Sequence, residues 1–142
     1  MNTIHQILSA KGNTVWSVNP QATVLDAIRL MAEKQIGALL VMEDDKLVGM
    51  VSERDYARQV ILKGKASNTT PVSDIMTKRV TYVPGEQTVE RSLALMTEKR
   101  IRHLPVMEDG KIVGVVSIGD LVKTIIDELQ LTIEELERYI AG

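Results

Sequence analysis

The sequence predicts an α/β (α+β) protein built from two β-α-β-β-α repeats related by pseudo-two-fold symmetry, with one further helix at the C-terminal end. Three observations carry this. The stretch Thr23 to Asp55 is written again as Thr88 to Asp120 at a constant offset of 65, with about 18 of 33 positions identical, far more than chance supplies. In both copies the apolar residues pass from helical spacing to short continuous runs at matching places. Both copies then set two such runs around an acidic turn and close on a Ser-x-x-acid helix start, Ser52 to Asp55 and Ser117 to Asp120.

Taken in order, Ile4, Ile7 and Leu8 lie on one side of a short lead-in helix that Lys11-Gly12-Asn13 breaks. Thr14 to Val18 is β-branched and alternating, a strand-like segment beginning with Val15 and stopped by Asn19-Pro20. Thr23 is a good N-cap for a helix carrying Val24, Ala27, Ile28, Met31 and Ala32 on one face and ending near Lys34. Ala38 to Met42 and Lys46 to Val51 form a hairpin around Glu43-Asp44-Asp45. Ser52 then starts a helix whose buried side is expected to hold Tyr56, Val60 and Ile61.

Lys63 to Pro71 is polar and small and is read as the linker, after which the order recurs. Val72 to Met76 is a helical turn, Val80 to Val83 a strand ended by Pro84-Gly85, and Thr88 to Lys99 a helix with Val89, Leu93 and Met96 inward. His103 to Met107 and Lys111 to Val116 make the second hairpin, and Ser117 starts a helix running to about Leu129. Thr132-Ile133-Glu134-Glu135 has the form of a capping box and predicts a separate last helix, which covers a helix groove or a partner subunit. The expected division is residues 1–66, 67–130 and 131–142.

At 142 residues two such units share one core. A hydrophobic content of 44% with 25% charged residues is that of a folded globular chain. No apolar run reaches the roughly 18 residues of a membrane span, and MNTIHQ lacks the features of a signal peptide, so the expected location is cytoplasmic and away from membranes. With no cysteine, thiolate nucleophiles and zinc-thiolate sites are excluded. A net charge of -2 without a Lys/Arg cluster argues against duplex nucleic acid, and 3% aromatics without Phe against a base-stacking platform.

The side chains able to carry chemistry are the two Ser–Asp pairs. A Ser at N-cap with an acid three residues on satisfies free N–H groups of a helix start, worth about 1 kcal/mol, and this alone explains the spacing. The functional alternative is that the helix start faces a phosphate, the hydroxyl bonds the ligand and the carboxylate accepts from ribose hydroxyls. A carboxylate repels phosphate, so cations must hold the phosphate. Arg54, Arg102 and His103 stand where the other repeat has Gly119, Gly37 and Ala38. Each of these is also compatible with a solvated surface or an ion pair, and Trp16 with either a core or a ligand wall.

Met31, Met42, Met50, Met96 and Met107 read as core packing. A triad of Ser117, His103 and Asp120 is not supported, because Ser and Asp three apart are a capping pattern and no Gly-x-Ser-x-Gly elbow exists. His5 and His103 without a third ligand make no metal site, so no catalytic or metal residues are assigned.

The twin hairpins ALLVMEDDKLVGMVS and HLPVMEDGKIVGVVS, each followed by x-x-Asp, together with Asp74-Ile75-Met76, resemble a tandem pair of cystathionine-β-synthase (CBS) domains over roughly residues 3 to 130. The resemblance implies two small sheets packed together with helices outside, and two clefts joining the Ser–Asp motif of one repeat to the strand beginnings of the other. One cleft would be rich in cations and collect Met50, Ser52, Arg54 and Asp55 with Thr81, Ile101, Arg102, His103 and Pro105. The other would collect Val115, Ser117 and Asp120 with Trp16, Ile36, Gly37 and Ala38, without an evident cation. It further implies a non-catalytic regulatory sensor of an adenine nucleotide (AMP, ADP, ATP or NAD(H), with magnesium entering only with ligand phosphates). A homodimer through the repeat helices and a regulated protein partner of unknown identity complete the expectation. The alternative is a scaffold that dimerises without ligand. An enzyme acting on nucleotides is disfavoured by the lack of a nucleophile or metal cage.

Overall fold

A computed structural model describes residues 2–141. The chain divides into two compact units that are shifted relative to the sequence repeats: residues 15–81 form one, and residues 1–14 with 82–142 the other. The lead-in helix therefore belongs with the second repeat.

In the unit of residues 15–81, β1 (Ser17–Val18), α2 (Val24–Lys34), β2 (Ala38–Glu43), β3 (Lys46–Ser52) and α3 (Glu53–Tyr56) follow one another. β1 is shorter than the predicted segment and excludes Val15. It pairs in parallel with β2, which pairs antiparallel with β3, giving the order β1-β2-β3. Thr23 caps α2 by accepting from Asp26 N at 3.1 Å, and the helix ends with Gln35 in the left-handed conformation (φ 55°). Asp44 and Asp45, with φ of 51° and 64°, make the tight turn between β2 and β3, a conformation that short Asx side chains tolerate. Val24, Ala27, Met31, Leu39, Val41, Val51, Val60, Val72 and Ile75 form the core.

Two expectations change here. α3 passes at Ala57 into a wider turn of five residues, Ala57–Ile61, which reduces the rotation per residue. Val60 stays buried while Ile61 turns out and is 57% exposed, against its predicted burial. The segment read as a linker is also part of this unit, because the carbonyls of Ser67 and Thr70 accept from the otherwise unpaired N–H groups of Leu25 and Val24 at the start of α2. Val72–Asp74 is a single 3-10 turn.

In the other unit α1 (Ile4–Lys11) is capped by a reciprocal Thr3–Gln6 box. It is joined by α4 (Val89–Lys99), β4 (His103–Glu108), β5 (Lys111–Ser117) and α5 (Ile118–Ala141). β4 and β5 pair antiparallel, with the same register shift as the first hairpin, between Val106 and Met107 where the other has Val41 and Met42. The predicted strand Val80 to Val83 contracts to one parallel bridge, Val83 to Val106, at the positions equivalent to Val18 and Val41. Ile4, Ile7 and Leu8 enter a core with Val83, Val89, Met96, Leu104, Val106, Val116 and Leu121. The separate helix expected at Thr132 does not exist. α5 runs unbroken for 24 residues, because no Gly or Pro lies between Asp120 and Ala141, and the Thr132 hydroxyl instead donates to the Glu128 carbonyl at 3.0 Å.

Candidate functional site

Each hairpin delivers its last strand residue, a serine, to the start of a helix. Ser52 N donates to Asp55 Oδ2 at 2.9 Å, the Ser52 hydroxyl donates to the same oxygen at 3.1 Å, and Asp55 N donates to Ser52 Oγ at 3.2 Å. At the second motif Ser117 N donates to Asp120 Oδ2 at 2.8 Å and Asp120 N to Ser117 Oγ at 3.2 Å. The capping expected from spacing is thus present in both, and it holds each carboxylate half-buried in one orientation at the mouth of its hairpin.

Register then sets what lies beside each motif within its own unit. Ser52 is the strand partner of Ala38, and Glu53 N donates to the Gly37 carbonyl at 3.1 Å. Ser117 is the partner of His103, and Ile118 N donates to the Arg102 carbonyl at 2.8 Å. Met50 pairs with Leu40 and bridges Thr77, while Val115 pairs with Pro105. Ile36, Gly37 and Ala38 therefore neighbour Ser52–Asp55, and Ile101, Arg102 and His103 neighbour Ser117–Asp120. Arg54 and Arg102 are exposed, and Ile101, His103 and Thr81 half-buried. Trp16 is 39% exposed, so the core reading does not hold for it, and the Lys34 ammonium sits 4.2 Å from its ring centroid. An open hollow of about 430 Å³ in the unit of residues 15–81 is lined by Ile28, Met31, Ala32, Gln35, Ile36, Gly37, Glu53 and Tyr56. With one carboxylate and no basic side chain in its lining, it is unsuited to phosphate. Among the described residues no cluster of His, Asp and Glu could hold a metal ion, and no helix is long and apolar enough to cross a membrane.

The sequence reading assigned no cation to the Ser117–Asp120 side, and the structure supplies one. Lys11, the last residue of α1, donates from Nζ to Asp120 Oδ2 at 2.7 Å and to the Val115 carbonyl at 3.0 Å. Burial alone would push the Asp120 carboxyl up. The Lys11 hydrogen bond, the Ser117 N–H, the Lys11 charge and the Ser117 hydroxyl together outweigh it and hold the group below the ordinary carboxylate range. Nothing local in the sequence signals this pair, because its members are 109 residues apart and meet only through the docking of α1.

Two hairpins, each closed by a Ser–Asp helix start and joined on one chain, define an internally duplicated α+β module. The CBS domain model matches residues 13–61 and 72–127, and the chain belongs to the CBS-domain family. It is 41% identical over 140 residues to the CBS domain-containing protein CBSX3, mitochondrial, of Arabidopsis thaliana, covering 94% of this chain and 67% of that protein. A solved protein with CBS domains from Burkholderia ambifaria is 52% identical with a TM-score of 0.87, covering 89% of this chain and 95% of that one. The CBS domain pair of protein MJ0100 shares the fold at 20% identity with a TM-score of 0.80, over 90% and 98% of the two chains.

Proposed function

We propose that the chain is a non-catalytic regulatory module that binds an adenine nucleotide, AMP, ADP, ATP or NAD(H), and changes its conformation or its affinity for a protein partner when it does. The observation that carries this is the pair of half-buried carboxylates, Asp55 and Asp120, each oriented by N–H donors at the end of a hairpin. A carboxylate so fixed is an acceptor for the two hydroxyls of a ribose without the entropic cost of ordering a free side chain. The Ser–Asp motifs take the sugar, and the basic side chains, Arg54 in one unit and Arg102 with His103 in the other, take the phosphate, which magnesium accompanies when the ligand is a di- or triphosphate. The MJ0100 pair was solved with 5′-methylthioadenosine and S-adenosyl-L-methionine, so in that protein the fold holds adenosine-bearing molecules. A ligand acts as a switch only by binding two arrangements unequally.

Thermal-shift and calorimetric titration against adenosine, AMP, ADP, ATP and NAD(H) test this, since a ligand at 100 times its Kd adds about 2.7 kcal/mol of stability. Asp55→Asn keeps most of the cap and is expected to weaken every ribose-bearing ligand. Arg102→Ala is expected to weaken AMP about tenfold or more while sparing adenosine, because a charge-assisted hydrogen bond contributes about 1.5–3 kcal/mol. Equal losses for the two ligands in Arg102→Ala defeat the phosphate assignment. One observation favours a second reading: Lys11 already occupies the Asp120 carboxylate, as in a scaffold whose sites serve the fold alone. Absence of a shift with every adenine compound selects that reading.

A further inference from the structure

The two Ser–Asp motifs differ in what holds the carboxylate. At Asp55 the Ser52 N–H donates to Oδ2 at 2.9 Å and the Ser52 hydroxyl donates to the same oxygen at 3.1 Å. At Asp120 the Ser117 N–H takes one place on Oδ2 at 2.8 Å, and the Lys11 ammonium takes another at 2.7 Å. A carboxylate oxygen has two lone-pair sites, so a ribose hydroxyl reaches either Oδ2 only after one donor leaves. The N–H is fixed by the helix start. A hydroxyl rotates away at little cost, whereas an ammonium that leaves a half-buried carboxylate forfeits an ion pair unless it meets another anion.

The docking of α1 fixes where that ammonium starts from. Ile4 N and His5 N donate to the Gln87 and Gly85 carbonyls at 2.9 and 2.8 Å, and Ile4, Ile7 and Leu8 enter the core. Leu8 lies so close to Gly114 that a Cβ there would stand 2.6 Å from Leu8 Cδ2. Lys11, one turn beyond Ile7 and Leu8 on the same face, is thereby carried to β5, where it also donates to the Val115 carbonyl at 3.0 Å. The helix holds its backbone, while the side chain, 40% exposed, keeps room to swing. Beside the motif stand Arg102, whose carbonyl accepts from Ile118 N, and His103, the strand partner of Ser117. A phosphate attached to a sugar bound at Asp120 therefore enters a basic field within this one unit.

We propose that Lys11 makes the Asp120 motif selective for phosphorylated adenosine ligands over adenosine itself: it surrenders Asp120 to the ribose hydroxyls and moves, on its four-carbon stem, to the phosphate. A bare nucleoside displaces the ammonium and brings no anion for it. This role presupposes the nucleotide-binding function proposed above. The carboxylate that Lys11 occupies is then a selective site, not one closed by folding.

Calorimetric titration of the full chain with adenosine and with AMP tests it, in the wild type and in an Asp55→Asn background that weakens the other motif. In that background Lys11→Met is expected to weaken AMP about tenfold or more, because a charge-assisted bond to phosphate is lost, and to strengthen adenosine about fivefold, because no ion pair opposes it. Opposite signs for the two ligands are an effect that a merely structural pair does not produce. Lys11→Arg is expected to restore the preference for AMP, and far-UV circular dichroism reports that all variants fold. Equal changes for the two ligands, or no change in either, overturn the selective role while nucleotide binding stands. Loss of all binding in Asp55→Asn, with the wild type still binding, shows an Asp120 motif that takes no ligand and overturns it as well. Absence of binding by the wild type and every variant overturns the nucleotide-binding function and this role with it.

Discussion

Replacing Lys11 by methionine keeps the length of the side chain and removes its charge, and the outcome can be worked from the geometry. The ammonium makes two hydrogen bonds, at 2.7 Å to Asp120 and 3.0 Å to the Val115 carbonyl. Its own side chain is 40% exposed and that of Asp120 is 25% exposed. Solvent screening at that exposure discounts the pair toward the upper end of surface ion pairs, about 1 kcal/mol, and an unfolding midpoint about 3–4 °C lower follows for a chain of this size. The pH dependence carries the sharper test. Asp120 has a folded pKa below its unfolded value, which is about 3.9 for an ordinary aspartate, so its contribution is complete above that value and is lost as pH falls through the lower folded one. The difference between wild type and Lys11→Met, measured by urea unfolding at a series of pH values, is therefore expected to hold from pH 7 to about pH 5 and to close below about pH 4. A difference that stays constant down to the lowest pH, or none at pH 7, refutes the ion pair as the source of stability.

Two further outcomes follow from comparing the repeats. Ser92 is fully buried and its hydroxyl has no partner among the described residues, whereas the equivalent residue of the first repeat is the buried Ala27. Ser92→Ala is expected to raise the urea midpoint by an amount corresponding to about 1 kcal/mol, and Ala27→Ser to lower it. Gly49 and Gly114 are likewise equivalent. A Cβ on Gly49 would lie 2.5 Å from Met76 Sδ, and one on Gly114 would lie 2.6 Å from Leu8 Cδ2. Both alanine variants are expected to cost about 1–3 kcal/mol in calorimetry, Gly114→Ala because Leu8 is buried in the core and Gly49→Ala because the Thr77 carbonyl, 3.0 Å away, cannot rotate aside as the Met76 thioether can.

What was legible in the sequence is what is local. Both hairpins, the Thr23 cap, the Ser–Asp helix starts and the inward faces of α2 and α4 depend on periods of two and 3.6 and on residues three apart, all of which a single chain displays. Among the readings that changed, three have a plain physical reason. The outward turn of Ile61 depends on one wide helical turn that leaves no mark on composition. The Thr132 pattern is indistinguishable from a cap until the absence of any breaker upstream is weighed against it. Thr14 and Val15 have the β-branched character of a strand but find no ladder, because β2 accepts only Ser17 and Val18. The Lys11–Asp120 pair lay beyond reach altogether, since α1 joins a unit whose remaining residues begin at Tyr82.

The two scaffolds diverge at positions where the fold makes no demand. The two hairpins share their register, their bulge and their Ser–Asp capping, so the backbone imposes the same demands on both. Yet the residue opposite the serine is Ala38 in one and His103 in the other, and the carbonyl that receives the helix N–H belongs to Gly37 in one and Arg102 in the other. Folding does not require that difference, since a backbone carbonyl and a strand position are indifferent to the side chain they carry. The basic groups Arg102, His103 and Lys11 gather in one unit, and small residues take the first two of these places in the other. An anionic ligand at one motif would meet a different field from a ligand at the other. Unequal occupancy of the Asp55 and Asp120 motifs, resolved as two distinct steps in a nucleotide titration, is the behaviour such a molecule should show.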